Sequence, residues 1–225
     1  SSTSRGLGDV YKRQGGAFMK PNINFVHMSS EEKQQSLLET RAGRPSDEPM
    51  WIFGFGSLMW NPCFDYDIKT AAVLKGYDRK FHIWTTRARG TPDNPGLGLC
   101  LEDCAGACRG VAFRLVEGDV EAAWERLWER EMGSGIYRPV WVSLESEDYD
   151  RIVALTFVVN REHPHYAGPM PSERMANIMA GAKGSYGLCR DYLAGTIEEM
   201  RKLDVSVSDL EELLSRVDAI EGRAK

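Results

Sequence analysis

The sequence predicts an α+β domain in which strands come first and helices follow. Three observations carry that reading. From Trp51 to Val159 the apolar runs are short, alternating or β-branched, and Gly-, Pro- and Asp-rich breaks separate them. One segment inside this region, Asp119 to Met132, has helical periodicity instead, and beyond Pro171 the pattern turns helical and stays so. Several strands around one helix suggest a small closed or rolled sheet with that helix laid against one end.

In chain order, residues 1–18 are rich in Gly and Ser, carry several basic residues and show no apolar periodicity, so they read as disordered. Ser1 to Gln14 looks like a translated sequencing adapter rather than a gene, which makes Met19 the expected start, and the Gly-rich, non-amphipathic pattern argues against a transit peptide. Ser29 to Arg41 reads as a short polar helix with Ser29 and Glu32 at capping-box spacing. Ala42 to Pro49 breaks the chain, so the expected organisation is an N-terminal extension over 1–50, a domain over 51–218 and a tail over 219–225. Trp51-Ile52-Phe53 suits a buried strand. Val111, Phe113 and Leu115 alternate with Ala112 and Arg114, Val140, Val142 and Leu144 alternate similarly, and Arg151 to Val159 is β-branched and apolar. Asp119 is the expected N-cap of the central helix, and Gly133 and Gly135 end it. Pro171-Ser172-Glu173 opens a second helix, Tyr186 to Leu203 forms a third, and Ser208 to Glu211 caps a last one running to Val217.

Composition narrows the function classes. The chain has 225 residues, 42% of them hydrophobic, with six Trp and eight Phe, enough for a sizeable core. Its formal charge is −5 with both signs interspersed, which gives no electrostatic footprint for nucleic acid or an anionic membrane and leaves a small molecule as the expected partner. No apolar run approaches the roughly 20 residues of a membrane helix. Cys63, Cys100, Cys104, Cys108 and Cys189 form an odd set with no secretory signal read ahead of them, so free thiols in a reducing cytoplasm are expected. The four-residue spacing of Cys100, Cys104 and Cys108 lacks a CxxC or CxxH pairing, and the His163-Pro164-His165 pair lacks a third ligand. No metal and no cofactor are expected.

Two stretches carry candidate chemistry. Trp51-Ile52-Phe53 runs into Gly54-Phe55-Gly56-Ser57-Leu58, small residues able to adopt positive φ and to bring backbone N–H groups close to a ligand. Such a turn is either an anion cradle or simply a tight turn after a core strand. It lacks the third Gly of a dinucleotide fingerprint, where Met59 stands, and the Gly-Lys-Ser/Thr of a P-loop. In the central helix, Val120, Trp124, Leu127, Trp128 and Glu131 share one face, while Glu121, Glu125, Arg126, Glu129 and Arg130 fill the other. Glu131 is thus either a carboxylate on the apolar stripe, its pKa raised by burial above the ordinary ~4.3, or a helix-end glutamate turned to solvent or to an arginine.

These stretches carry a resemblance. Trp51 to Pro62, Arg89-Gly90-Thr91 with Pro95-Gly96, Leu127 to Tyr137 and His163-Pro164-His165-Tyr166 resemble, in order and spacing, the ChaC-type glutathione-specific γ-glutamylcyclotransferases over most of 51–217. The resemblance implies a small mixed β-barrel with flanking helices and a lyase reaction. In it the γ-glutamyl α-amine attacks its own γ-carbonyl, closing 5-oxoproline and releasing Cys-Gly. An α-amine of pKa about 8 is mostly protonated at neutral pH, so a base is needed, and one partly buried carboxylate can take the proton and return it to the leaving nitrogen. Glu131 is the candidate. Phe55, Gly56, Ser57 and Leu58 are the expected γ-glutamyl-binding loop, their backbone N–H groups meeting a carboxylate or the oxyanion. Phe55 stands where the family usually has Tyr.

Arg89 is either a bidentate partner for the Cys-Gly carboxylate or a surface arginine. Tyr137 and Tyr166 either line the pocket or pack in the core. Pocket breadth is not readable, so γ-glutamyl amino acids and γ-glutamylamines stay open as substrates. A non-catalytic binding or regulatory protein on the same scaffold is a third reading, with Phe55 in its favour and the retained Glu131 against it. Nothing in the sequence indicates the oligomeric state.

Overall fold

A computed structural model describes residues 21–45 and 49–223. The expectations for residues 1–18 lie outside the described residues. The first element, α1 (Ser30–Ala42), begins with the capping box that its sequence spacing implied: the Glu32 N–H donates to Ser29 Oγ at 3.1 Å and the Ser29 N–H to Glu32 Oε2 at 2.7 Å. Ahead of it residues 21–28 run along the body. The Ile23 N–H meets the Pro92 carbonyl at 3.2 Å, and the Met28 N–H meets that of Gly133 at 3.1 Å.

The strands are β1 (Trp51–Gly54), β2 (Tyr66–Thr85), β3 (Gly96–Leu115), β4 (Tyr137–Leu144) and β5 (Ile152–Val159). They form one sheet in the order β2-β3-β1-β5-β4, in which β1 and β5 run parallel and every other neighbouring pair antiparallel. β1 has strands on both sides and side chains packed on both faces, so it is buried at all four positions, as its unbroken apolar run requires. Trp51 and Phe53 join a core shared with the C-terminal helices. Ile52, pointing the other way, joins a second core with Phe113, Leu155 and Phe157. That second core is capped by α2 (Val120–Glu131), which buries Trp124, Leu127 and Trp128.

β2 and β3 pair along most of their 20 residues, with register shifts at Tyr66/Ile68, Lys75/Tyr77 and Lys80/Ile83. Bulges of this kind bend a strand and increase its twist. The sheet rolls until Val73 in β2 and Glu145, just after β4, exchange two backbone hydrogen bonds of 2.8 and 2.9 Å. This is the small mixed, barrel-like sheet with flanking helices that the resemblance implied, its edges meeting at one bridge rather than along a continuous ladder.

The C-terminal part holds α3 (Ser172–Met179), the short hairpin β6 (Lys183–Gly184) and β7 (Gly187–Leu188), then α4 (Cys189–Arg201) and α5 (Ser208–Ile220). Three local expectations are corrected here. The third helix begins at Cys189 rather than Tyr186, because the hairpin is drawn onto the loop before β3: the Ser185 and Tyr186 N–H groups bond the Arg87 and Ala88 carbonyls at 2.8 and 2.9 Å. Asp119 stands at the start of α2 but does not cap it, since its carboxylate is held by Arg126. Val207, not Ser208, occupies the cap position of α5, and no side chain bonds the helix N–H groups there.

Candidate active site

The chain leaves β1 through Gly54-Phe55-Gly56 and enters a single 3-10 turn, Ser57–Met59. Close approach, not a left-handed backbone, explains these glycines. Neither has positive φ, whereas a Cβ on Gly54 would stand 3.2 Å from Leu58 Cβ and one on Gly56 3.2 Å from Leu99 Cδ2. β3 is laddered to β1 only from Val111 to Arg114, so the earlier stretch containing Leu99 has no β1 partner. A cleft opens there.

Phe55, Gly56, Ser57 and Leu58 form one side of the cleft, Leu99 and Phe157 its floor, and Glu131, Tyr137 and Tyr192 the remainder. It encloses about 320 Å³ with its mouth included. Glu131 is delivered by the last turn of α2, and its side chain keeps 15% of its surface accessible. Burial raises its pKa above the usual carboxylate value, and the neighbouring Arg130 guanidinium, 3.2 Å away, opposes that rise only in part. Tyr137 donates its hydroxyl to the Leu99 carbonyl at 2.8 Å, and burial, then the Glu131 charge, holds its pKa well above that of a free phenol. The same two causes raise Tyr192.

Six of the residues singled out in the sequence therefore meet in one cleft: Phe55, Gly56, Ser57, Leu58, Glu131 and Tyr137. Arg89 and Tyr166 do not line it. Arg89 stands one residue back, its guanidinium 5.2 Å from the Tyr192 ring centroid and bonded to the Tyr186 and Leu188 carbonyls. Tyr166 bridges to Ile83 and packs on Cys100 and Ile136; burial, then Glu102, pushes its hydroxyl up to about 12. The sequence reading missed Leu99, Phe157 and Tyr192, which come from β3, β5 and α4 and carry no motif. It also missed Arg130, which helical phase assigned to the polar face. Arg130 bonds Ser57 Oγ at 2.9 Å and the Asn61 carbonyl as well as Glu131, tying the loop to the helix end.

His163 and His165 are engaged by backbone. Nε2 of His163 meets the Ser134 carbonyl at 2.8 Å, and the two ring nitrogens of His165 meet the Trp84 and Asn24 carbonyls at 3.1 and 3.0 Å. Among the described residues no group of three or more His, Cys, Asp or Glu side chains is arranged to hold a metal ion, and no helix is long and apolar enough to cross a membrane. All five cysteines are free thiols.

A glutathione-specific γ-glutamylcyclotransferase of Escherichia coli K12 is 37% identical over 189 residues, covering 84% of this chain and 81% of that protein. The human glutathione-specific γ-glutamylcyclotransferase 1 is 32% identical, over 77% of this chain and 79% of its own. In fold, a crystal structure of a yeast γ-glutamylcyclotransferase specific to glutathione superposes with a TM-score of 0.68 at 19% identity, covering 76% of this chain and 96% of that one. Residues 50–220 match the profile of ChaC-like proteins, and with relatives this similar over most of their length the chain belongs to the ChaC-like protein family.

Proposed function

We propose that the protein is a glutathione-specific γ-glutamylcyclotransferase. The observation that carries this is the placement of one partly buried carboxyl, Glu131, in the same cleft as the Phe55–Leu58 loop, with its pKa raised by burial. A raised pKa matches an acid–base group to a task near neutral pH. Glu131 takes a proton from the γ-glutamyl α-ammonium, the freed lone pair attacks the γ-carbonyl carbon, and the carboxylic acid protonates the nitrogen of the departing Cys-Gly. The regenerated carboxylate takes the second proton from the ring nitrogen as the lactam forms and passes it to the released amine. No water is consumed and no electron changes hands.

The backbone N–H groups of Gly56, Ser57 and Leu58 bind substrate oxygens, and Phe55 contributes a buried apolar wall. The cleft is narrow, and its loop and carboxyl together suit the γ-glutamyl end of the substrate. The remainder of the substrate then lies toward the mouth of the cleft. The five free thiols support a reducing compartment, and we place the protein in the cytoplasm. Purified protein incubated with reduced glutathione, and separately with γ-glutamyl-alanine, tests the substrate: 5-oxoproline and Cys-Gly should form from glutathione. Turnover of γ-glutamyl-alanine alone would replace this reading with a broader cyclotransferase, and silence with both would leave a binding protein.

A further inference from the structure

Tyr192 has no part in the chemistry above, yet it is held firmly against the cleft. It comes from the first turns of α4. The Phe81 ring meets it edge-on at 6.0 Å, and the Arg89 guanidinium stands 5.2 Å from its ring centroid. Its Oη lies 3.8 Å from the point a Cβ on Gly56 would occupy, so the hydroxyl is at the loop side of the cleft.

Tyr137 and Tyr192 both line the cleft, but their hydroxyl protons are committed differently. Tyr137 commits its proton to the Leu99 carbonyl at 2.8 Å, so toward the cleft it can only accept. The Tyr192 hydroxyl lines the same cleft beside Gly56, with its proton left to be donated there. Among the described residues no acceptor takes it. We propose that Tyr192 is a catalytic residue whose O–H donates to the γ-carbonyl oxygen of the substrate as that oxygen becomes an oxyanion. The inference rests on the cyclotransferase reading and deepens it.

Charge timing decides for the oxyanion over the substrate's α-carboxylate. Tyr192 lies within the field of Glu131. A permanent carboxylate beside it would face the ionised Glu131 from the moment of binding. The oxyanion instead appears as Glu131 takes the amine proton and loses its charge. In that step the amine lone pair bonds the γ-carbon and the carbonyl π pair moves onto oxygen, against the Tyr192 O–H. When that pair returns, the bond to the cysteine nitrogen breaks and the nitrogen takes the proton from Glu131. Tyr192 keeps its own proton throughout, as a phenol of raised pKa must. The Arg89 cation at its ring face polarises the O–H and strengthens it as a donor.

Tyr192→Phe removes only the hydroxyl. With glutathione, kcat should fall roughly 10²–10³-fold, the usual cost of one lost oxyanion donor, while KM changes little. An unchanged kcat, or a loss confined to KM, would overturn the assignment. A second variant keeps the hydroxyl: 3,5-difluorotyrosine at position 192 lowers the phenol pKa and should add a basic limb to the pH profile of kcat that the native protein lacks. No new limb would also overturn it, and this readout survives even if Tyr192→Phe folds poorly. Native protein silent toward both glutathione and γ-glutamyl-alanine would sink the cyclotransferase reading and this inference together. Active native protein with an unimpaired Tyr192→Phe would sink the inference alone.

Discussion

Glu131 and Arg130 are neighbours in sequence that act in opposite directions on one carboxyl. Burial lifts the Glu131 pKa and the guanidinium pulls it back part of the way. Removing the cation leaves burial unopposed, so the folded-state pKa rises further and the base is fully ionised only at higher pH. Arg130→Met should therefore move the acidic limb of the kcat/KM profile to higher pH, and an unmoved limb would show that Arg130 does not tune Glu131. The same variant loses the ties to Ser57 and Asn61, so some loss of activity on the plateau is expected too. Glu131 was legible in the sequence because it falls in phase with Trp124, Leu127 and Trp128 on a strongly patterned helix. Arg130 was not, because periodicity says which face a residue occupies but not that a loop from β1 arrives on that face.

At the scale of elements, the segment before α1 straps together two loops that flank the site. Residues 21–28 reach from Pro92, just beyond Arg89, to Gly133, just beyond Glu131, and His165 pins the middle through the Asn24 carbonyl at 3.0 Å. α1 then docks on α2 through Lys33–Glu129 and Arg41–Glu121 pairs of 3.1 and 2.8 Å, and on β4 through a Trp141 Nε1–H bond of 3.0 Å to the Thr40 carbonyl. His165→Phe leaves the buried Trp84 carbonyl without its ring partner and frees the Asn24 carbonyl, which should cost about 1–3 kcal/mol in denaturant unfolding and open residues 21–28 to proteolysis. Unchanged stability and an uncleaved segment would contradict the strap. The capping box and polar composition made α1 visible in the sequence, whereas its docking depends on partners eighty or more residues away. The start of α4 was misread for a related reason: the Lys183–Leu188 hairpin is shaped by the loop around Arg89, which local propensity does not report.

For the whole molecule, the order of strands before helices was plain from periodicity, and the rolled sheet is what such an order can build. The pairing was not plain. β2 and β3 are each 20 residues long and bulged, so no single alternating register runs through them. The cleft exists because β1 stops at Gly54 while β3 continues past it, and its lining is drawn from six separate parts of the chain, so it takes form only when the sheet closes. Stability and chemistry should accordingly separate at Phe113, which is buried in the second core against Phe64 and outside the cleft. Phe113→Ala should cost about 3–5 kcal/mol while the protein that remains folded keeps its kcat. A selective loss of kcat would mean that the two cores and the site are more tightly coupled than the packing indicates. The central claim is that Glu131 carries the proton in an intramolecular cyclisation, and 5-oxoproline release from glutathione by Glu131→Gln, compared with the native protein at equal folded fraction, tests it most directly. The near-isosteric change should lower turnover by roughly 10²–10⁴ with the fold intact. Activity within about tenfold of native, far less than a lost acid–base group costs, would contradict it.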